Sequence, residues 1–184
     1  LYIKVVRGFL REGDKITITF GDRSGGSPGM RLQTFCEDSY EFHTLIDPIA
    51  TYCYQPMPVQ PVIKIIPGKP DRYLAVAPTI RAIDESFSIK FKGEDKWGNP
   101  SDQCDIQLYP HASHPVKNLP NMVSLKPGEF FGVIEGLLVA DAADLYIDFL
   151  DDAGVVMCRT NPIRIEPAPL SRHFWGDLHG QSEE

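Results

Sequence analysis

Near its C-terminus the chain reads Arg172-His173-Phe174-Trp175-Gly176-Asp177-Leu178-His179-Gly180-Gln181. Asp177 and His179 are two positions apart, so on a strand both side chains point to the same side. A carboxylate and an imidazole held together ligate a divalent metal, and the metal turns a bound water into a nucleophile. Asp177 and His179 are therefore the candidate metal ligands. Two ligands cannot close a site by themselves, and a terminal tail with no site is the alternative.

Other residue sets invite chemistry and have plainer readings. His111 and His114 flank Ala112 and Ser113 between Pro110 and Pro115, which predicts an extended surface loop rather than the helix a His-x-x-His metal pair uses. His43 is expected at the surface of a strand. Asp141, Asp144, Asp148, Asp151 and Asp152 form an acidic run without calcium-loop spacing, expected as a solvated strand edge. Gly21 to Gly29 resembles a phosphate loop in glycine content only. It lacks the closing Gly-Lys-Ser/Thr and no helical pattern follows, so a long loop able to meet a neighbouring domain is expected. Glu94-Asp95-Lys96-Trp97-Gly98-Asn99-Pro100 is a turn in which Asp, Gly, Asn and Pro each have a conformational role, with a ligand loop around Trp97 as the alternative. Cys36, Cys53, Cys104 and Cys158 contain no Cys-x-x-Cys pair, which argues against a zinc knuckle. Thiols are expected, with one disulfide in each half of the chain as the other option.

The elements that would position these groups are short strands. Fifteen glycines and 16 prolines punctuate alternating segments, an all-β pattern. Lys15 to Phe20 places Ile16, Ile18 and Phe20 on one face and predicts a half-buried strand. Leu32 to Cys36 and Tyr40 to Ile46 are predicted strands, and Val62 to Ile66 closes a first unit. Pro67-Gly68-Lys69-Pro70 is the expected linker. Beyond it, Arg72 to Ala77, Ser86 to Phe91, Asp105 to Tyr109, Asp144 to Leu150, Val155 to Cys158 and Asn161 to Ile165 are predicted strands. Phe87, Ile89 and Phe91 point inward, and Asp151-Asp152-Ala153-Gly154 makes a hairpin turn. Glu129 to Ala143 fits a helix or a strand by period; a strand over Phe130 to Ile134 is chosen because a sandwich needs one there.

Bulk properties narrow the function classes. A net charge of -7, with 18 scattered basic residues, argues against nucleic-acid backbone binding. No apolar run reaches the roughly 20 residues of a membrane helix, and no signal peptide opens the chain. The expectation is no nucleic acid and no membrane; a missing upstream segment would give the same opening, so the compartment stays open, with the cytoplasm favoured.

The Phe174-Trp175-Gly176-Asp177-Leu178-His179 run, after an Ile-rich strand and a proline linker, resembles a bacterial family labelled domain of unknown function 3604. That family is related to the PHP superfamily (polymerase and histidinol phosphatase). Gly13-Asp14-Lys15-Ile16-Thr17 with Gly21-Asp22, the Gly25 to Gly29 loop, the Asp95 to Pro100 turn and Thr160-Asn161-Pro162-Ile163 carry the same resemblance. It implies a β-sandwich region leading into a distorted α/β barrel that holds divalent metals and cleaves a phosphoester or related bond. Asp177 and His179 match the first metal motif, while Gln181 stands where the superfamily usually has a second His.

The expected architecture is all-β: two immunoglobulin-like β-sandwich units in tandem, over 1–66 and 67–167. Residues 168–184 then form a linker and the first strand of a PHP-like metal-hydrolase domain whose remainder lies outside this chain. The expected role is a non-catalytic accessory β region supporting that barrel, with zinc, manganese or iron as cofactor of the whole protein and none for this stretch alone. The expected partner is the chain's own C-terminal catalytic domain, and a homo-oligomer is left open. The alternatives are a carbohydrate- or protein-binding sandwich using Trp97, Tyr52 and Tyr54, or a purely structural spacer.

Overall fold

Phe87, Ile89 and Phe91 alternate with Ser88, Lys90 and Lys92, and this period of two sets the strand at the centre of the fold. A computed structural model of the chain describes residues 2–171; Asp177 and His179, and with them the expected barrel strand, lie outside the described residues. No helix occurs among those described, and the fold is all-β. In chain order the first strands are β1 (Glu37–Glu41), β2 (Leu45–Ile46), β3 (Gln55–Pro56) and β4 (Val62–Ile65). There follow β5 (Arg72–Val76), β6 (Ile80–Ala82), β7 (Phe87–Glu94), β8 (Ile106–Ala112), β9 (Val123–Leu125) and β10 (Gly132–Leu137). The last four are β11 (Ala143–Leu145), β12 (Ile147–Leu150), β13 (Val156–Arg159) and β14 (Ile163–Glu166).

The contacts divide the chain into two compact units, one ending at Gln33 and one beginning at Thr34. Among its described residues the first contains turns and no strand. Arg11 to Asp14 closes on itself, with Asp14 N donating to Arg11 O at 3.0 Å and Arg11 N to the Asp14 carboxylate at 2.7 Å. The strand expected over Lys15 to Phe20 is not formed, and Ile16, Ile18 and Phe20 are exposed. Alternation supplies a face, but a strand also needs a ladder partner, and no described strand pairs with these residues.

The second unit is a two-layer, sandwich-like body with a β ribbon. One layer is the antiparallel sheet β10-β7-β5. The other combines β13-β12-β8-β9 with β11-β14-β6, in which β6 runs parallel to β14 and the remaining pairs are antiparallel. The inward residues of both layers make one core, including Ile89, Phe91, Leu108, Leu125, Leu137, Leu145, Ile147, Phe149 and Ile163. Phe91 of one layer stacks on Phe149 of the other at 5.4 Å and 30°. Each such burial is worth about 1.5–3 kcal/mol. A Cβ on Gly132 would collide with the Phe91 ring, so the glycine permits this packing. The segment open to a helix or a strand is the strand β10. In the ribbon, β1 pairs with β4, and β2 pairs with β3.

Two details differ from the pattern-based reading. The strand expected over Asp144 to Leu150 is broken at Tyr146 into β11 and β12, each with its own partner, because the return segment also bends at Thr160-Asn161-Pro162. β8 runs through Pro110 and His111, which were expected in a loop. Ser113 N donates to Tyr146 O at 3.0 Å, so in the alternation of an antiparallel ladder the Pro110–Phe149 pair is a non-hydrogen-bonded one. The donor that proline lacks would face the side where β9 has already ended.

Candidate functional site

β7 delivers two consecutive carboxylates, Glu94 and Asp95, to the start of a turn, and both are buried. They do different work. Glu94 lies in register with Arg72 of β5, and Arg72 Nη2 approaches it at 2.7 Å. Lys92, two residues earlier on the same face, reaches it at 2.8 Å. Burial pushes the Glu94 carboxyl up, but the hydrogen bonds from Lys92 and Arg72 outweigh it and hold the pKa below the usual glutamate value.

Asp95 is only 3% exposed and is surrounded by donors. Oδ1 accepts from Trp97 N at 2.8 Å and Asn99 N at 3.0 Å, the geometry of an Asx turn. Oδ2 accepts from Gly68 N at 3.1 Å and from the Asn99 amide at 2.9 Å. Burial pushes this carboxyl up as well. The Asn99 side chain and the amides of Gly68, Asn99 and Trp97 prevail and bring its pKa down to about 2. Gly98, at φ +89°, supplies the left-handed residue that closes the turn, and its N–H donates to Asp95 O at 3.0 Å.

Asn99 carries the turn's reach further. Its amide donates to Thr34 O at 2.7 Å, and its oxygen accepts from Cys36 N at 3.0 Å. Ser101 Oγ donates to Gly68 O at 2.6 Å, and the Gln103 amide donates to Pro67 O at 2.7 Å. The expected linker Pro67 to Pro70 is thereby bonded into the sandwich at two consecutive carbonyls and one amide. Trp97 is half-exposed, with Lys96 Nζ 5.0 Å from its ring centroid.

The outer face of the β5-β7-β10 sheet forms the floor of a groove of about 820 Å³. Across it Lys92 lies in register with Leu74, and Lys90 with Val76 on one side and Val133 on the other. Phe130 and Phe131 line one wall, while Cys36, Glu37, Asp38, Lys64 and Ile65 of the β1–β4 ribbon line another. Lys64 Nζ pairs with Asp38 at 2.7 Å.

The remaining sequence candidates do not converge. Asp144 bonds Arg164 at 2.9 Å, and Asp148 makes a two-point pair with Arg159 at 2.6 and 2.9 Å. Asp151 accepts from Ala153 N and Val155 N within its own hairpin. His111 of β8 lies in register with Asp148 of β12, and His43 Nδ1 is 3.5 Å from Glu41. Cys104 is buried, Cys158 half-buried, and Cys36 and Cys53 exposed, all four as thiols; burial and then Asp148 push the Cys158 thiol up to about 12. In the Gly-rich loop, Ser24 N bonds Asp22 and Gly29 N bonds Ser27 Oγ, both turn contacts. Among the described residues no group of three or more His, Cys, Asp or Glu side chains is arranged to hold a metal ion. No described helix is long and apolar enough to cross a membrane.

The groove lysines and the long reach of Asn99 were not anticipated from sequence. The alternation on β7 does place Lys90 and Lys92 outward. Their apolar neighbours follow only from register with β5 and β10. No family model matches the chain, and no curated protein matches it.

Proposed function

We propose that this chain is the non-catalytic accessory β region of a metal-dependent hydrolase of the PHP-like, phosphoester-cleaving kind, its task being to hold a catalytic barrel in place. The observation that carries this reading is the Asp95–Asn99 clamp. One buried carboxylate and one amide tie Gly68, Thr34 and Cys36 to the end of β7. A clamp of that kind makes a stiff support, and the buried carboxylate of Asp95 is committed to it, while the other buried acid, Glu94, is paired with Arg72 and Lys92. The order of the layers adds to the reading. β6 runs parallel to the last strand β14, and β5-β7-β10 faces it, a two-layer order that supports reading the body from Pro67 onward as an immunoglobulin-like module.

Asp177 and His179 would supply the first two ligands to zinc, manganese or iron in the complete site. The metal, when bound, would supply an activated water. Further ligands are required, since two do not hold a catalytic ion. Two experiments test the proposal. The 184 residues alone, given Zn²⁺, Mn²⁺ or Fe²⁺, are expected to leave bis(p-nitrophenyl) phosphate uncleaved; metal-dependent turnover by this chain would refute the accessory role. Sequencing the reading frame past Glu184 is expected to reveal more His, Asp and Glu in metal-ligand spacing, and a stop codon there removes the hydrolase reading.

A second reading, a ligand-binding sandwich, is favoured by exposed aromatics: Tyr52 and Tyr54 are open to solvent, and so is half of Trp97 at the tip of its turn. Its fixed hydrogen bonding to Asp95 makes it a turn residue first. Loss of a glycan or protein partner on Trp97→Ala would favour this alternative.

A further inference from the structure

Lys90 stands at the middle of an apolar row. Its cross-strand neighbours are Val76 and Val133, and Leu74, Phe130 and Phe131 complete the surroundings. The groove's other two lysines are paired: Lys64 with Asp38 at 2.7 Å, and Lys92 at 2.8 Å with Glu94, a carboxylate it shares with Arg72. Glu37 brings the one further carboxylate to the lining, on the ribbon side. Among the described residues the Lys90 ammonium has no ion pair and no hydrogen bond. A cation on an apolar floor, inside a half-open groove of about 820 Å³, combines the two features of a site for small amphipathic anions.

We propose that this groove binds a small amphipathic carboxylate, an alkyl or aryl body bearing one carboxylate group. The body lies on Leu74, Val76 and Phe131, and the carboxylate meets Lys90. Charge complementarity selects this occupant. A neutral apolar ligand would leave the ammonium facing hydrocarbon, and a cation would oppose it. The stem of Lys90 adds methylene surface to the floor while its head stays available. The site is independent of the metal-hydrolase reading and stands or falls separately.

The test is isothermal titration calorimetry of the full 184-residue chain with octanoate and with octan-1-ol at low ionic strength. The expected result is one saturable site, with octanoate bound roughly fivefold more tightly than the alcohol, the scale of a partly exposed ion pair. Lys90→Met keeps an apolar stem without the charge and is expected to equalise the two ligands. Phe131→Ala is expected to weaken both. Near-UV circular dichroism confirms that each variant stays folded, and both positions are exposed. Equal affinities in the parent chain, a preference that survives Lys90→Met, or no saturable heat from either ligand would overturn the proposal. So would a concentration-dependent dimer that Phe131→Ala dissociates, because the groove would then belong to a second copy.

Discussion

Asp95 and Asp151 open two turns built on one plan. Each is an Asp-x-x-Gly run at the end of a strand. In both, one carboxylate oxygen accepts from the amides two and four residues on, and the glycine N–H returns to the aspartate carbonyl at 3.0 Å. Gly98 and Gly154 both sit at positive φ, +89° and +80°. The difference lies in the second oxygen. That of Asp95 is buried and holds Gly68 and Asn99, which in turn holds Thr34 and Cys36. For Asp151 only local acceptance through Oδ1 is seen, on an exposed turn. The same local motif is a connector in one place and a fastening in the other, and tertiary surroundings decide which. Where a segment must be held, a carboxylate with both oxygens committed holds it.

Substitutions separate the two turns, and the largest effect is expected at Asp95. Asp95→Ala strands several buried donors at once and should cost about 3 kcal/mol or more in urea unfolding. Equal costs at Asp95 and Asp151 would erase the distinction. Asn99→Ala removes the link to Thr34 and Cys36 along with two bonds to Asp95, and about 2 kcal/mol is expected. Acid should sharpen the contrast. The folded pKa of Asp95, about 2, lies below its unfolded value, and that of Glu94 is lowered too. The unfolded chain therefore binds more protons as the pH falls. The stabilisation is complete above about pH 4 and drains away toward pH 2. Asp95→Asn is expected to flatten that part of the stability–pH curve, and an unchanged slope would contradict the assignment. Asp151→Ala, which touches only its own hairpin, is expected to cost about 1 kcal/mol. Trp97→Ala should matter least, roughly 0.5 kcal/mol, since the ring is half-exposed and its cation contact is a surface one.

Much of this architecture is legible in residue types. Asp95, Gly98 and Asn99 declare a turn, and Phe87, Ile89 and Phe91 declare an inward face, because both signals are local. What escapes is what depends on distant partners. Gly68 is 27 positions from Asp95, and Thr34 is 65 from Asn99. Nothing in the turn names them. The alternation of Ile16, Ile18 and Phe20 matches that of β7, yet only β7 has strands on both sides. Pro110 argues for a loop on propensity and is tolerated in β8 because its neighbour β9 stops short. The candidate site divides in the same way. Asp177 and His179 are readable as a same-side pair, while the groove around Lys90 exists only through the register of β5, β7 and β10.

Native-state hydrogen exchange, resolved by residue, tests the fastening most directly. The amides of Gly68, Trp97, Asn99 and Cys36 should exchange near the rate of global unfolding, and those of Ala153 and Val155 much faster. If Gly68 and Cys36 exchange as freely as Ala153, the Asp95 turn fastens nothing, and the claim that it stiffens this region into a support is wrong.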